Sequence, residues 1–348
     1  MRTLLVTGGC GFIGSHFIRR VLQRPSYRVV NVDKLTYAGD PSRLAGIAED
    51  APYRFVRGDI ADGSLVQEVL AAERPWAIVN FAAESHVDRS ILDPAPFLRT
   101  NVLGVQVLLE AARRSGVERF MQVSTDEVYG DAEGLAPRSE DDPLAPSSPY
   151  SASKAAADLL CLAYQRTYGL AVLIVRSSNN YGPFQHPEKL IPLVINAALA
   201  GGEIPVYGDG GQQRDWLYVE DNCRALSTVL ERGQPGAIYN VATGVTRTNV
   251  DVIRQICAVL ADELRTDANL YLSQIRSVRD RPGHDRVYAV ATDRVSRELG
   301  WTAEVDFAEG LRRTVRWYLA NREWLKRVTD ESYRTFHEAV YVREWNSP

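Results

Sequence analysis

The sequence predicts an α/β protein: a doubly wound parallel sheet followed by a smaller, mixed C-terminal domain. Three observations carry this expectation. Short apolar runs alternate with amphipathic segments of helical period through the first half of the chain. A glycine-rich turn, TGGCGFIG, joins the first apolar run to the first helical one. After about residue 178 the alternation gives way to irregular Gly/Pro-rich turns between short helices.

The elements follow in order. RTLLVTGG is an apolar strand ending in glycines, and FIGSHFIRRVLQ has helical spacing. YRVVNVD and PYRFVRGD read as strands, SLVQEVLAAE as a helix and WAIVNFAA as the fourth strand. FLRTNVLGVQVLLEAARRSG reads as one long amphipathic helix, stopped by Gly116. ERFMQVS is the next strand, YSASKAAADLLCLAYQRTYG a helix, and LAVLIVRSS a strand. This βαβ rhythm calls for a parallel sheet with helices on both faces. Residues 126–149 read as a long Pro- and Asp-rich loop, and loops of that length in a compact domain are usually functional or disordered. VDVIRQICAVLADEL is a helix of the second part. The expected division is 1–178 for nucleotide binding and 179–348 mainly for substrate, with part of the later chain returning to the first domain. No internal repeat or low-complexity segment interrupts it.

Bulk properties narrow the function. The 348 residues are 45% hydrophobic and 24% charged, ordinary globular composition with a sizeable core. No apolar run is long enough to span a membrane. A net charge of −4 gives no basic field for nucleic acid, so any phosphate ligand is met by local groups. MRTLLVTGG enters a strand directly, without the pattern of a signal peptide. Cys10, Cys161, Cys223 and Cys257 have no CxxC spacing, which argues against zinc or a disulfide framework. A cytoplasmic location is expected. Only Lys34, Lys154, Lys189 and Lys326 are lysines among 40 basic residues, so the places where a compact ammonium is kept carry information.

The glycine turn fits both GxGxxG (Gly9, Gly11, Gly14) and GxxGxxG (Gly8, Gly11, Gly14) between a strand and a helix. That context is Rossmann-type dinucleotide binding: helix-start amides hold a pyrophosphate, and missing side chains let it approach. Asp33 ends the second strand, 19 residues after Gly14, where a carboxylate binds both ribose hydroxyls and repels a 2′-phosphate. NAD is therefore expected rather than NADP, although Lys34 next door is able to meet a phosphate. Asp59 ends the third strand within reach of the adenine, and Phe81, Ala82 and Ala83 end the fourth.

Tyr150 and Lys154 stand at i,i+4 spacing at a helix start, one turn apart on one face. An ammonium beside a phenol stabilises phenolate and lowers its pKa, making a base for a sugar hydroxyl while hydride leaves the carbon. Just before this helix, STDEVYG sets two carboxylates side by side at the end of a core strand. Side chains alternate along an extended chain, so Asp126 and Glu127 are expected to point in different directions.

TGGCGFIGS with YSASK resembles the extended short-chain dehydrogenase/reductase superfamily, over essentially the whole chain. AAESHVDRS, STDEVYGD, RSSNNYGPFQHPEKLIP, GDGGQQRDWLYVEDN and DRPGHD together resemble the dTDP-glucose 4,6-dehydratases. The resemblance implies a lyase that oxidises C4 of dTDP-glucose, eliminates water across C5 and C6 and returns hydride to C6, with NAD recycled. It assigns Tyr150 and Lys154 to the redox step, Thr125 to the C4 oxygen, Asp126 as acid and Glu127 as base. Asp126 then needs a raised pKa, from burial or from its neighbour. A cofactor shell of Gly8, Gly11, Phe12, Ile13, Gly14, Asp33, Lys34, Leu35, Thr36, Asp59, Ile60, Phe81, Ala82, Ala83, Ser85, Thr100, Tyr150, Lys154 and Asn180 is implied. So is a substrate set of Ser85, Thr125, Asn179, Lys189, Leu190, Pro205, Val206, Tyr207, Arg214, Asn249, Asp280, Arg281, Pro282, Gly283 and His284. No metal is expected. Asn222 stands where the family often has His. A homodimer through the helices flanking the fifth strand is implied. The competing readings are a UDP-sugar 4-epimerase, a UDP-glucuronate decarboxylase or a GDP-mannose dehydratase on the same fold, and a non-catalytic NAD sensor. The acidic pair argues against the epimerase, Asp33 against an NADP-using enzyme, and Thr125, Asp126, Glu127, Tyr150 and Lys154 together against the sensor.

Overall fold

The computed structural model describes residues 1–338 and 340. Its first half alternates strand and helix: β1 (Arg2–Thr7), α1 (Phe12–Leu22), β2 (Tyr27–Asp33), β3 (Tyr53–Arg57), α2 (Gly63–Glu73), β4 (Ala77–Asn80), α3 (Val87–Leu92), α4 (Ala95–Phe97), α5 (Val105–Ser115), β5 (Arg119–Thr125), α6 (Pro149–Tyr168) and β6 (Val172–Ser177). The remainder comprises β7 (Asn179–Tyr181), α7 (Leu190–Ala200), β8 (Ile204–Tyr207), β9 (Gln213–Tyr218), α8 (Val219–Arg232), β10 (Ile238–Val241), β11 (Thr246–Thr248), α9 (Asn249–Leu264), α10 (Asn269–Leu272), β12 (Ile275–Val278), α11 (Asp293–Leu299), α12 (Phe307–Ala320), α13 (Arg322–Val328) and α14 (Glu331–Glu338).

Seven strands form one parallel sheet in the order β10-β6-β5-β4-β1-β2-β3. Its central strands are buried on both faces, which is why they read as continuous apolar runs rather than alternating ones. Phe17 of α1, Leu226 and Val229 of α8 and Leu299 of α11 cover one face. Leu70 of α2, Leu108 of α5 and Ala157 of α6 cover the other. A separate core lies among α7, α9 and α12, with Val194, Ile256 and Leu311 at its centre. β10, α8 and α11 belong to the main sheet although they come from the second half of the chain. β1 pairs with β2 on one side and β4 on the other, so the winding reverses there, and a crevice opens beyond the carboxyl ends of the strands.

Three local expectations need correction. The long helix before β5 is interrupted by a π turn at Leu98–Gly104, before Gly116 in the left-handed conformation ends it. The π turn carries buried Asn101, whose amide donates to the Glu84 carbonyl and to Ser153 Oγ while its Oδ1 accepts from the Glu84 amide. The 126–149 loop opens with a 3-10 turn, Asp126–Tyr129, and is ordered. Ala132 and Arg138 amides donate to the carbonyls of Val287 and Ala289, and the Asp131 carboxylate accepts from the amides of Arg286 and Val287. Finally, the second half is not a set of short helices, since α9 has 16 residues and α12 has 14.

The glycine turn is fixed by close packing. A Cβ at Gly14 would lie 2.5 Å from the Gly8 carbonyl oxygen and 2.9 Å from Gly9 Cα, backbone atoms that cannot rotate away. Overpacking of this kind costs about 1–3 kcal/mol. Gly14→Ala should lower the free energy of unfolding by that amount, read as a lower urea midpoint with an unchanged slope. An unaltered midpoint would show that the turn moves aside freely.

Candidate active site

The carboxyl ends of β1, β2, β4, β5 and β6 deliver their following residues to one crevice. α1 begins at Phe12 behind Gly11, which offers no side-chain cap, so the first-turn amides of α1 are open to an anion. Gly8 adopts φ +70°, and a Cβ there would meet the Ala82 amide at 2.6 Å. Asp33 accepts from the Cys10 amide through Oδ2 and the Leu35 amide through Oδ1, each at 2.8 Å. Burial pushes its carboxyl up, against the pull of those two bonds. Leu35 turns its own side chain toward the core. The Lys34 ammonium is tied to Asp59 Oδ2 at 2.8 Å, which commits it to a carboxylate rather than to a 2′-phosphate. Asp33, Lys34, Thr36, Asp59, Ile60, Phe81, Ala82, Ala83 and Thr100 line one hollow that shares Gly8 and Gly11 with the central cleft. Carboxylate, glycine cradle and open helix start fit a dinucleotide.

Thr125 ends β5 and caps the 3-10 turn, its Oγ1 accepting from the Glu127 amide at 3.3 Å. The two carboxylates therefore lie on a tight helical turn, not on extended chain. They still diverge, because successive residues of a 3-10 helix are a third of a turn apart. Thr125 Oγ1 also donates to Asp126 Oδ1 at 3.3 Å, whereas Asp126 Oδ2 and Glu127 Oε2 are buried without a hydrogen-bond partner. Burial, then the Glu127 charge, pushes the Asp126 carboxyl up to about 8, with Arg214 opposing. Burial also raises Glu127, against Arg281, Lys189 and Arg214.

Ser148 caps α6 in a reciprocal pair with Ser151, which places Tyr150 in the first turn and Lys154 one turn on. Lys154 Nζ donates to the Val123 carbonyl at 2.6 Å, and burial draws its ammonium down to about 8. The expected lowering of the Tyr150 phenol by Lys154 is not found. Burial, followed by the nearby Glu127 charge, pushes that phenol up, with the Thr125 hydroxyl opposing. The lysine is anchored on strand β5 and does not neutralise the tyrosine's surroundings.

One cleft of about 260 Å³ is lined by Thr125, Asp126, Glu127, Tyr150, Lys154, Gly8, Gly11, Phe12, Ile13, Gly14, Phe81, Ala83, Ser85, Asn179, Asn180 and Lys189. Lys189 Nζ donates to the Ser85 carbonyl at 2.7 Å. Asn179 and Asn180 each hold a buried side-chain oxygen without a partner. Leu190, Pro205, Val206, Tyr207, Arg214, Asn249, Asp280, Arg281, Pro282, Gly283 and His284 stand outside that lining. Several of them adjoin it through charge and contact. Arg281 Nη1 and Tyr207 Oη both donate to buried Asp88, at 3.1 and 3.0 Å. Arg214 donates to the Asp285 carbonyl and lies 4.0 Å from the Tyr288 ring centre. His284 pairs with Asp280 at 2.6 Å. Val206 is buried in the second core, Leu190 and Asn249 open α7 and α9, and Pro282 and Gly283 are exposed.

His86 is buried, with Nε2 at 3.3 Å from the Glu188 carbonyl, and burial lowers its pKa, so it serves as a neutral structural group. Asn222 accepts from Ser177 beneath the cleft. Among the described residues no group of three or more His, Cys, Asp or Glu forms a metal site. Sequence reasoning missed Asp158, which is fully buried one turn beyond Lys154 and ion-paired with Arg176 at 2.9 Å. Its i,i+4 spacing from Lys154 was a usable signal. Gln185, His186 and Glu188, which also line the cleft, lie within the RSSNNYGPFQHPEKLIP segment but were not singled out, and Arg43 carried no signal.

Residues 5–314 match the family model described as GDP-mannose 4,6 dehydratase. A dTDP-glucose 4,6-dehydratase of Xanthomonas campestris pv. campestris (strain B100) is 51% identical over 344 residues, covering 96% of this chain and 98% of the other. A crystal structure of a dTDP-glucose 4,6-dehydratase from Streptomyces venezuelae with NAD bound superposes with a TM-score of 0.88 at 48% identity, covering 94% of this chain and 99% of that one. UDP-glucose 4-epimerase of Thermotoga maritima reaches a TM-score of 0.84 at 29% identity over 92% of this chain and 99% of its own.

The acidic turn makes a pH-dependent contribution to stability. The Asp126 carboxyl titrates near 8 in the fold, against about 3.9 in the unfolded chain. Between those values the folded state keeps a proton that the unfolded state has released. Stability therefore falls as pH rises through this window, at up to about 1.4 kcal/mol per pH unit, and levels off above it. Asp126→Asn removes the slope. Its urea midpoint should exceed the wild type's at pH 8, by a margin that shrinks toward pH 5. A margin constant with pH would mean that Asp126 does not titrate there.

Proposed function

The chain belongs to the GDP-mannose 4,6 dehydratase family, and within it we propose that it converts dTDP-glucose to dTDP-4-keto-6-deoxyglucose with NAD as a recycled cofactor. The observation that carries this reading is the buried Asp126-Glu127 turn facing Tyr150 and Lys154 across one cleft. The near-full-length likeness to dTDP-glucose 4,6-dehydratases supports the thymidine nucleotide. Asp33, the Gly8–Gly14 turn and the open first turn of α1 would hold the dinucleotide, which would supply the hydride chemistry at C4 and C6.

The chain's own residues then divide the proton work. Tyr150 takes the C4 hydroxyl proton and Thr125 donates to the C4 oxygen, while Lys154, held by the Val123 carbonyl, stands one turn along the same helix. The resulting ketone acidifies the C5 proton. Glu127, near Arg281, Lys189 and Arg214, is the carboxylate that removes it. Asp126, pushed to about 8, is protonated at neutral pH and gives its proton to the C6 hydroxyl as water departs. Lys189, Arg214 and Arg281 meet the sugar nucleotide's diphosphate, each charge-assisted bond contributing about 1.5–3 kcal/mol.

The working form is a cytoplasmic homodimer. Free, buried Cys10, Cys161, Cys223 and Cys257 suit a reducing compartment. Leu98 and Leu103 on the π turn and Leu159 and Tyr168 on α6 are each about half exposed or more, an apolar face on neighbouring helices that a second copy would cover.

With Glu127→Gln, adding dTDP-glucose should still raise the absorbance of reduced nicotinamide, while formation of the 4-keto-6-deoxy product falls by roughly 10²–10⁴. Full product turnover in that variant would remove Glu127 from the role of base. Leu159→Glu places a charge on the proposed contact face. Sedimentation should then show monomers where the wild type shows dimers, and a dimeric variant would locate the interface elsewhere.

A further inference from the structure

Arg43 takes no part in the chemistry above, yet it is one of the most buried charges in the molecule. It sits in a 3-10 turn after β2, Pro41–Leu44, and is 1% exposed. Its Nε donates to the Phe184 carbonyl at 3.1 Å, and its Nη1 donates to the carbonyls of Cys10, at 2.9 Å, and Ala38. Nη2 has no hydrogen-bond partner among the described residues. The acids that influence Arg43 most, Asp40 and Asp33, are engaged elsewhere. Asp40 accepts from Ser42, Trp324 and Arg327, and Asp33 from the Cys10 and Leu35 amides. Carbonyl dipoles solvate a guanidinium but do not neutralise it, and buried charges are ordinarily paired.

The position of this unpaired cation is specific. Arg43 lines the central cleft beside Gly11, Phe12 and Ala38. Two of its anchors, Cys10 and Ala38, belong to the glycine turn and to the turn after Asp33, the two segments that frame a dinucleotide. The third, Phe184, holds φ +67°, uncommon for a bulky side chain. Lys34 is committed to Asp59, and Lys189, Arg214 and Arg281 gather around Glu127 at the other end of the crevice. The α1 amides alone present only about half an elementary charge to a pyrophosphate that carries two.

We infer that Arg43 is a cofactor-binding residue, its Nη2 edge supplying positive charge to the pyrophosphate of the dinucleotide beside the first turn of α1. The inference rests on the NAD reading above. Calorimetric titration of the apoprotein with NAD, ADP and adenosine separates the two. Arg43→Gln should weaken NAD and ADP at least tenfold while adenosine, which has no phosphate, stays within about twofold. Equal weakening of all three ligands, or an unchanged NAD affinity, would make Arg43 a structural clamp and overturn the inference. Failure of the wild type to bind NAD would overturn the cofactor reading itself. If the Gln variant does not fold, Arg43→Lys decides. It keeps the charge without the three-carbonyl fork, so it should retain most of the preference for ADP over adenosine, and loss of that preference would count against the charge.

Discussion

Everything at the acidic turn hangs from one buried ion pair. Arg176 in β6 donates from Nε to Asp158 in α6 at 2.9 Å and from Nη1 to the Tyr129 hydroxyl at 2.7 Å. Tyr129 closes the 3-10 turn that begins with Asp126, and it donates onward to Asn240 of β10 at 2.9 Å. Asn240 in turn donates from its backbone amide to the Glu140 carboxylate and from its side-chain amide to the Arg138 carbonyl, both in the loop after the turn. A single guanidinium thus fixes α6, the carboxylate turn, β10 and the long loop relative to one another. Removing one member of such a pair costs about 3–5 kcal/mol, because a charge is left buried and alone. The sheet supplies the rigid floor, but this pair sets where Tyr150 and Asp126 stand upon it.

That rigidity explains how two carboxylates remain together in one crevice. Isolated ionised carboxylates would be expelled or neutralised there. The fold separates their fates by what surrounds each. Asp126 is buried and feels Glu127, so it holds a proton. Burial raises Glu127 too, but Arg281, Lys189 and Arg214 all pull it back toward the ionised form. Asp88 holds Arg281 in place, and Ser85 holds Lys189, so the cations are themselves anchored before substrate arrives. A carboxyl that keeps its proton beside one drawn by three cations toward ionisation is the pairing that a water elimination across neighbouring carbons requires.

The parallel sheet was legible because its strands are buried on both faces and its helices on one, two periods that the chain writes clearly. The glycine turn, Asp33 and the Tyr150–Lys154 spacing were legible for the same reason: each is a local pattern with a local physical cause. The 3-10 turn was not, since only the Thr125 cap and the Tyr129 bond to Arg176 make it. Lys154 was assigned to Tyr150 by spacing, but the carbonyl that holds it comes from β5, thirty-one residues earlier. Lys34 looked available for phosphate until β3 delivered Asp59 beside it. In each case the missing information was a contact between segments distant in sequence. Where β10 lies is a further instance, because a four-residue apolar run carries no address.

The last helices show how far this dependence on distant contacts extends. Trp324 and Arg327 of α13 donate to Asp40, just after the ribose-binding turn. The Tyr318 hydroxyl of α12 donates to the Gln185 carbonyl, and that of Tyr333 in α14 to the Pro187 carbonyl. The segment from Phe184 to Lys189 carries the cleft's Gln185, His186, Glu188 and Lys189. The C-terminal helices therefore grip the Asp40 side and the Lys189 side of the crevice at once, bridging residues that lie more than 280 positions apart at Trp324 and Asp40. Arg43 joins the same clasp, since its guanidinium lies 5.5 Å from the Trp324 ring centre and binds the Phe184 carbonyl. The segments on the two sides of the cleft are thus held by one set of contacts from α12, α13 and α14, so neither side is set independently of the other.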